Sequence, residues 1–227
     1  DGGLSGGELG VIVAPSGIGK SWFLQALAVN ALRAGKNVVH YTLELNEAYV
    51  GMRFATIFSG VPVANIKDNK DEVRDTIKKD CKGELIIKYF PTRGATVQTI
   101  HTHLKTIELM GHEPDLILVD YADLLRDVGS ADAAVRHQLG NIYEDLRGLS
   151  GEFQIPVWTA SQSNRSSLED EVIGAEKIAE SYAKIMTADF VMSLSRKIED
   201  KIANTGRVHV IKNRFGQDGM TYPLTMN

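Results

Sequence analysis

The chain has 227 residues, 43% hydrophobic and 24% charged, a size and balance that fit one globular domain with a sizeable core. Its formal net charge of −4 gives no global basic field, so any contact with nucleic acid must be local or shared among several copies. A single cysteine, Cys81, excludes an internal disulfide; no apolar run approaches the ~18 residues that span a bilayer and no signal-peptide pattern is visible, which together suit a reducing cytoplasm.

The first residue is Asp1, a few residues ahead of the first apolar run, which reads as a chain whose upstream part is missing. "LGVIVA" (9–14) predicts a strand and 20–34 a helix. "NVVHYTL" (37–43) predicts a second strand, followed by a helix over 47–59. "ELIIKYF" (84–90) precedes "TVQTIHTHLKTIELMG", whose Val97, Ile100, Leu104, Ile107 and Leu109 recur near helical spacing. "LILVD" (116–120) precedes a helix over roughly 132–150, and "IPVWTAS" (155–161) and "ADFVMSLS" (188–195) complete the series. Strands apolar on both faces that alternate with helices predict an α/β fold, its mainly parallel sheet covered on each side. After Asn204 the residues read as two strands around a Gly-containing turn, a terminal β-hairpin. The polar stretch 161–177 is the longest expected loop and 126–134 the second.

Between the first strand and the first helix stands Ala14-Pro15-Ser16-Gly17-Ile18-Gly19-Lys20-Ser21. It matches the phosphate-loop pattern G-x-x-x-x-G-K-[ST] except that Ala14 replaces the first glycine. Glycines let the backbone wrap closely and turn N–H groups inward, and the helix behind them adds the positive end of its dipole. Lys20 would reach the β- and γ-phosphates and the Ser21 hydroxyl would hold Mg²⁺; the bland alternative is an ordinary Gly-rich turn. Asp120 ends a strand, at the carboxyl edge where ligands sit in open α/β sheets; it suits a magnesium shell or, more simply, a helix N-cap. Glu44 follows the second strand, where a carboxylate can orient an attacking water or merely face solvent. Glu47 is a weaker candidate for that role. Gln162 ends a third strand, where an amide can bond a γ-phosphate.

In order, "APSGIGKS", "YTLE", "LILVDYADLL", "TASQSNRSSLED" and "VIKNRFG" resemble the RecA-like motor domain of DnaB-type hexameric replicative helicases, over nearly the whole chain. Ala14 is typical of that family, and "GKNVVHYTLELNEAYVGMRF" and "AESYAKIMTADFVMSLSRKIEDKI" are most similar to the replicative helicases of tailed bacteriophages. The resemblance implies that residues 1–227 are one RecA-like ATPase domain of a longer helicase whose N-terminal domain is absent here. It implies ATP and Mg²⁺ as cofactors, single-stranded DNA as the track, a homo-hexamer, and primase and helicase loader as partners. It also implies roles: Lys20 and Ser21 as the phosphate-loop pair, Glu44 as the catalytic glutamate, Asp120 as the magnesium aspartate and Gln162 as the γ-phosphate sensor. Lys212 and Arg214 would be the basic pair inserted into a neighbouring subunit's site. The DNA-facing loops would be 126–136 and 163–181, with Arg126, Arg136, Arg165 and Lys177 as cations among interspersed acids.

Two alternatives stand beside this reading: a RecA or RadA-type recombinase that extends as a filament, and a KaiC-like ring that uses nucleotide as an assembly switch. Other signals point elsewhere. His101 and His103 are two apart on a helix and do not share a face for a metal, and His112 follows Gly111 at a helix end. Ser161 and Ser163 have no nearby His–Asp partner. Arg53 is expected to approach the nucleotide or to serve a structural ion pair.

Overall fold

The computed structural model describes residues 3–129, 135–163, 172–174 and 182–226. Eight strands form one sheet: β1 (Leu9–Ala14), β2 (Val38–Thr42), β3 (Leu85–Tyr89), β4 (Leu116–Asp120), β5 (Val157–Gln162), β6 (Phe190–Ser195), β7 (Thr205–Asn213) and β8 (Thr221–Thr225). Their order is β3-β2-β4-β5-β1-β6-β7-β8. The first six run parallel, while β7 pairs antiparallel with β6 and β8 antiparallel with β7, the expected terminal hairpin.

Alternation along the strands feeds two cores. Val11, Val13, Val39, Tyr41, Ile117 and Val119 face one side, against Val97, Ile100, Leu104 and Ile107 of α4 (Val97–Leu109) and Ile142, Tyr143, Leu146 and Leu149 of α5 (Val135–Phe153). Ile12, Ala14, Val38, Leu116 and Leu118 face the other, against α1 (Lys20–Arg33) and α2 (Glu47–Ser59). Burying each such side chain is worth about 2 kcal/mol, so Leu24→Ala at the centre of α1, fully buried, is expected to cost about 3 kcal/mol.

The helices that the sequence did not announce are α3 (Lys70–Asp80), α6 (Tyr182–Thr187) and α7 (Ile198–Ile202). On α3 only Val73 is buried, so its apolar stripe is too thin to read from spacing. The parallel strands all deliver their carboxyl ends to one edge. The β7–β8 turn is delivered to the other, because Arg214 N–H donates to the Asp189 carbonyl and Asp189 N–H to the Leu9 carbonyl, both at 2.9 Å.

Candidate active site

Helix α1 begins without a side-chain cap. Its N-cap is Gly19, left-handed at φ 115°, and Gly17 just before it has φ 78°. By contrast α2 is capped by the Asn46 side chain, which accepts from Tyr49 N–H, and α4 by the Thr96–Thr99 capping box. The α1 N-terminus therefore keeps orphan N–H donors beside an open space, the arrangement that suits an anion. That space is a cavity of about 360 Å³ lined by Ser16, Gly17, Gly19, Lys20, Ser21, Trp22, Glu44, Leu45, Arg53, Tyr121 and Gln162.

The Lys20 ammonium folds onto its own loop, donating to the carbonyls of Ala14 (2.9 Å) and Pro15 (3.0 Å). Burial pulls its pKa down, and the carboxylates of Asp120, Asp123 and Glu44 pull it back up. Ser21 Oγ donates to Asp120 Oδ1 at 3.1 Å. Asp120 is 3% exposed, and burial pushes its carboxyl up to about 6; the Ser21 hydrogen bond opposes that shift, and Glu44 adds to it. A buried carboxylate beside a hydroxyl, with phosphate-binding N–H groups nearby, offers the hard oxygens a divalent cation prefers, and a cation there would relieve the desolvation of Asp120. The peptide bond from Asp120 to Tyr121 is cis.

Register explains why these groups meet. Thr42 pairs with Asp120 and Ala14 with Gln162, so the four strand ends stand side by side. Glu44 follows two residues beyond Thr42, exposed to the cavity and without a hydrogen bond to any other described residue. Thr42 Oγ1 donates to the Leu45 carbonyl at 2.7 Å and shapes the turn that carries Glu44. Glu47 is committed elsewhere, since its carboxylate accepts from Tyr89 N–H at 3.1 Å.

Sequence reasoning missed Trp22, Leu45 and Tyr121 as cavity residues and gave Arg53 too little weight. Arg53 stacks over the Trp22 ring at 5.2 Å, lines the cavity and makes no ion pair with a described residue. The available signal was spacing: Trp22 follows Ser21 directly, and Arg53 lies two turns into the helix after Glu44.

The two cations of the hairpin lie at the opposite edge of the sheet. Arg214 Nη1 pairs with Asp189 Oδ1 at 2.7 Å; Asp189 is 2% exposed and is also gripped by Arg147 (3.0 and 3.1 Å) and by Leu9 N–H. Lys212 donates to three carbonyls, Ile185 (3.0 Å), Met186 (2.8 Å) and Ala188 (2.7 Å), and so caps α6 with its whole donor set. Five strand steps, about 17 Å, separate the Leu9 end of β1 from the phosphate loop, so neither cation reaches the site of its own chain.

Of the four cations assigned to DNA, Arg126 is exposed and lines a second cavity of about 500 Å³ that also includes Arg93, Asp123, Asp127 and Gln138. Arg165, Lys177 and the Arg136 side chain lie outside the described residues. His101 bonds Glu152 at 2.9 Å, His103 meets the Tyr41 hydroxyl at 2.9 Å and His112 bonds Glu84 at 2.7 Å.

The pattern of the DnaB-like helicase C terminal domain matches residues 1–225. A DnaB-like replicative helicase of Enterobacteria phage T4 is 29% identical over 95% of this chain and 47% of its own length. A replicative DNA helicase DnaB of Buchnera aphidicola is 29% identical over 99% of this chain and 51% of its own. The chain thus spans about half the length of these curated relatives. Among solved structures, one described as an ATPase domain superposes with a TM-score of 0.84 at 20% identity, covering 98% of this chain and 82% of that one. A DnaB-like replicative helicase studied for its interactions with primase gives 0.83 at 20% identity, with 97% and 55% covered. Both likenesses bear on the fold, the α/β architecture with a mainly parallel sheet expected from the alternation of strands and helices. The family match favours the helicase reading over the recombinase one. With a family pattern running from the first residue to the last strand, this chain belongs to the DnaB-like helicase C terminal domain family.

Proposed function

We propose that this chain is the motor of a ring-forming replicative DNA helicase, in which ATP is cleaved at the boundary between adjacent copies and the energy moves single-stranded DNA. The observation that carries the reading is the division of labour in space: Lys20, Ser21, Glu44, Asp120 and Gln162 meet at one edge, and Arg214 stands at the other, beyond reach of its own site.

The roles follow from chemistry. The Gly17–Lys20 backbone and the α1 terminus bind the phosphates, and Lys20 exchanges its two carbonyl bonds for phosphate oxygens. Ser21 and Asp120 would hold Mg²⁺, which when bound neutralises charge on the β- and γ-phosphates. Glu44 orients and polarises water, and having no hydrogen-bond partner among the described residues leaves it available for that role. The Gln162 amide bonds the γ-phosphate from the end of β5. Arg214 of an adjoining copy stabilises the charge that spreads over the transferred group, a contribution of about 10³-fold. Lys212 would have to give up three carbonyl bonds to do the same, so its part is to hold the hairpin on α6.

Arg126, joined by Arg93, and the assigned cations Arg136, Arg165 and Lys177 contact DNA phosphates without reading sequence, each weak contact multiplied around a homo-hexamer. Primase and a helicase loader are the partners that fit such a motor. Among the described residues no helix is long and apolar enough to cross a membrane, and the cytoplasm is the proposed site of action.

The test is ATP turnover against protein concentration, with and without single-stranded DNA. Turnover that rises more steeply than concentration, is stimulated by DNA and falls about 10³-fold in Lys20→Ala supports the reading. A response indifferent to DNA favours a nucleotide-switched ring instead, and normal turnover in Lys20→Ala removes the site.

A further inference from the structure

Behind Gln162 lies a polar cluster that the roles above do not use. Lys184 of α6 has a side chain only 5% exposed, and its ammonium donates to Asp123 Oδ1 at 2.6 Å and to Ser161 Oγ at 2.9 Å. The Tyr143 hydroxyl, fully buried, donates to the same Asp123 Oδ1 at 2.9 Å. The other carboxylate oxygen, Oδ2, accepts from Ser161 Oγ at 3.1 Å and from the backbone N–H of Gln162 at 3.2 Å. Asp123 therefore accepts four donors from β5, α5 and α6, and it lies three residues beyond Asp120.

A buried ammonium and carboxylate are costly to desolvate, and two apolar side chains would pack there at less cost. The arrangement is justified by what it holds in place. Ser161 and Gln162 are the last residues of β5, Lys184 is the third residue of α6, and Asp123 stands in the turn after β4. One carboxylate thus fixes the strand end that presents the Gln162 amide to the cavity, and joins it to α6. At the far end of that six-residue helix, Lys212 ties α6 to the hairpin.

We infer that Lys184 and Asp123 are positioning residues for γ-phosphate recognition: their ion pair sets the place of Gln162 and makes it respond to the α6 side of the molecule. The inference deepens the proposed function and rests on it for the identity of the nucleotide. Neither residue lines the 360 Å³ cavity, so neither touches the phosphates directly.

The pair can be tested without turnover. Affinities of the purified chain for ADP and for a non-hydrolysable ATP analogue are read from Trp22, which lines the cavity. Lys184→Met is expected to lower affinity for the analogue about tenfold while affinity for ADP stays within about threefold. Lys184→Arg should restore most of the difference, because it keeps the charge on Asp123. The doubly neutral variant Asp123→Asn/Lys184→Met avoids an unpaired buried charge, so it should fold even where Lys184→Met does not, and it should show the same selective loss. Two results overturn the inference: a folded variant with an unchanged ratio of the two affinities, or one in which both affinities fall together. In the same samples, ATP turnover is expected to lose its stimulation by a single-stranded oligonucleotide. A wild-type chain indifferent to that oligonucleotide would count against the helicase reading, and the affinity ratio would still decide the positioning role.

Discussion

The two edges of the sheet hold their charges in opposite ways. At the phosphate-loop edge, Glu44 has no partner among the described residues, Arg53 rests only on an indole ring, and the α1 terminus lacks a side-chain cap. At the hairpin edge Asp189 and the cations around it are engaged: Asp189 receives Arg147, Arg214 and Leu9 N–H, and Lys212 spends all three donors on carbonyls. Charged groups without a protein partner that gather around a cavity beside an uncapped helix end mark a candidate ligand site. The hairpin edge instead holds Arg214 against Asp189, and its proposed use by a neighbouring copy requires release from that pair. On the proposed function, one edge waits for a ligand and the other for a neighbour.

The largest expected effect tests the second half of that contrast. Arg214→Ala should reduce assembled turnover about 10³-fold and leave nucleotide affinity within about threefold, because Arg214 does not reach the cavity of its own chain. Asp189 keeps Arg147 and Leu9 N–H, so thermal unfolding should move by only a few degrees, about 2–4 °C per kcal/mol for a chain of this size. A variant that loses nucleotide affinity in proportion to turnover would place the arginine at its own site and undo the contrast.

Asp120 tests the first half. Its carboxyl titrates near 6 in the folded chain and near 3.9 when unfolded. Between those values the folded state binds more protons, so this group's contribution falls as pH climbs from about 4 to about 6, and above that the full penalty of about 3 kcal/mol is present. Asp120→Asn should therefore raise the unfolding midpoint of the nucleotide-free chain at pH 8 while lowering turnover and raising the Mg²⁺ concentration that turnover requires. Lower stability at pH 8 in the variant would show that the carboxylate is not the strained group.

Lys212 gives the counterpart at the other edge. Lys212→Met leaves three carbonyls at the end of α6 unmet, an expected loss of about 2 kcal/mol of stability, with turnover per folded molecule within about threefold. Loss of turnover comparable to Arg214→Ala, with stability intact, would return Lys212 to the neighbour's site.

What was legible in the sequence divides along similar lines. The strands carry apolar runs, and the residues at their ends, Asp120, Glu44 and Gln162, inherit a position from those runs; the phosphate loop adds a motif with fixed spacing. Parallel pairing then brings the ends together by necessity. Arg53, Trp22 and Tyr121 belong to the same cavity, but nothing in spacing says that a helix turns one arginine towards an indole. The Asp123–Lys184 pair joins positions 61 residues apart and cannot be read from either neighbourhood. Lys212 was legible as a cation and not as a cap, because its partners are backbone carbonyls, which every sequence has.

The smallest effect lies between the edges, on β2, beneath Glu44. His40 is fully buried, edge-on to Phe54 at 5.6 Å, and neither ring nitrogen has a hydrogen-bond partner among the described residues. Burial, with Arg53 adding repulsion, lowers its pKa to about 3. The unfolded chain titrates near 6.5, so below that value it binds the proton that the folded chain refuses, and stability drains as pH falls towards 3. At pH 5 this costs about 2 kcal/mol, before any discount for local opening that lets the ring reach water. His40→Leu keeps the packing against Phe54 and carries no proton, so its stability relative to wild type should grow between pH 7 and pH 5. The slope has the opposite sign to that of Asp120, so the two variants separate contributions that cancel in the wild-type profile. Parallel unfolding curves for wild type and His40→Leu over that window would mean that the imidazole is solvated, and that the floor of the nucleotide edge is wetter than its packing indicates.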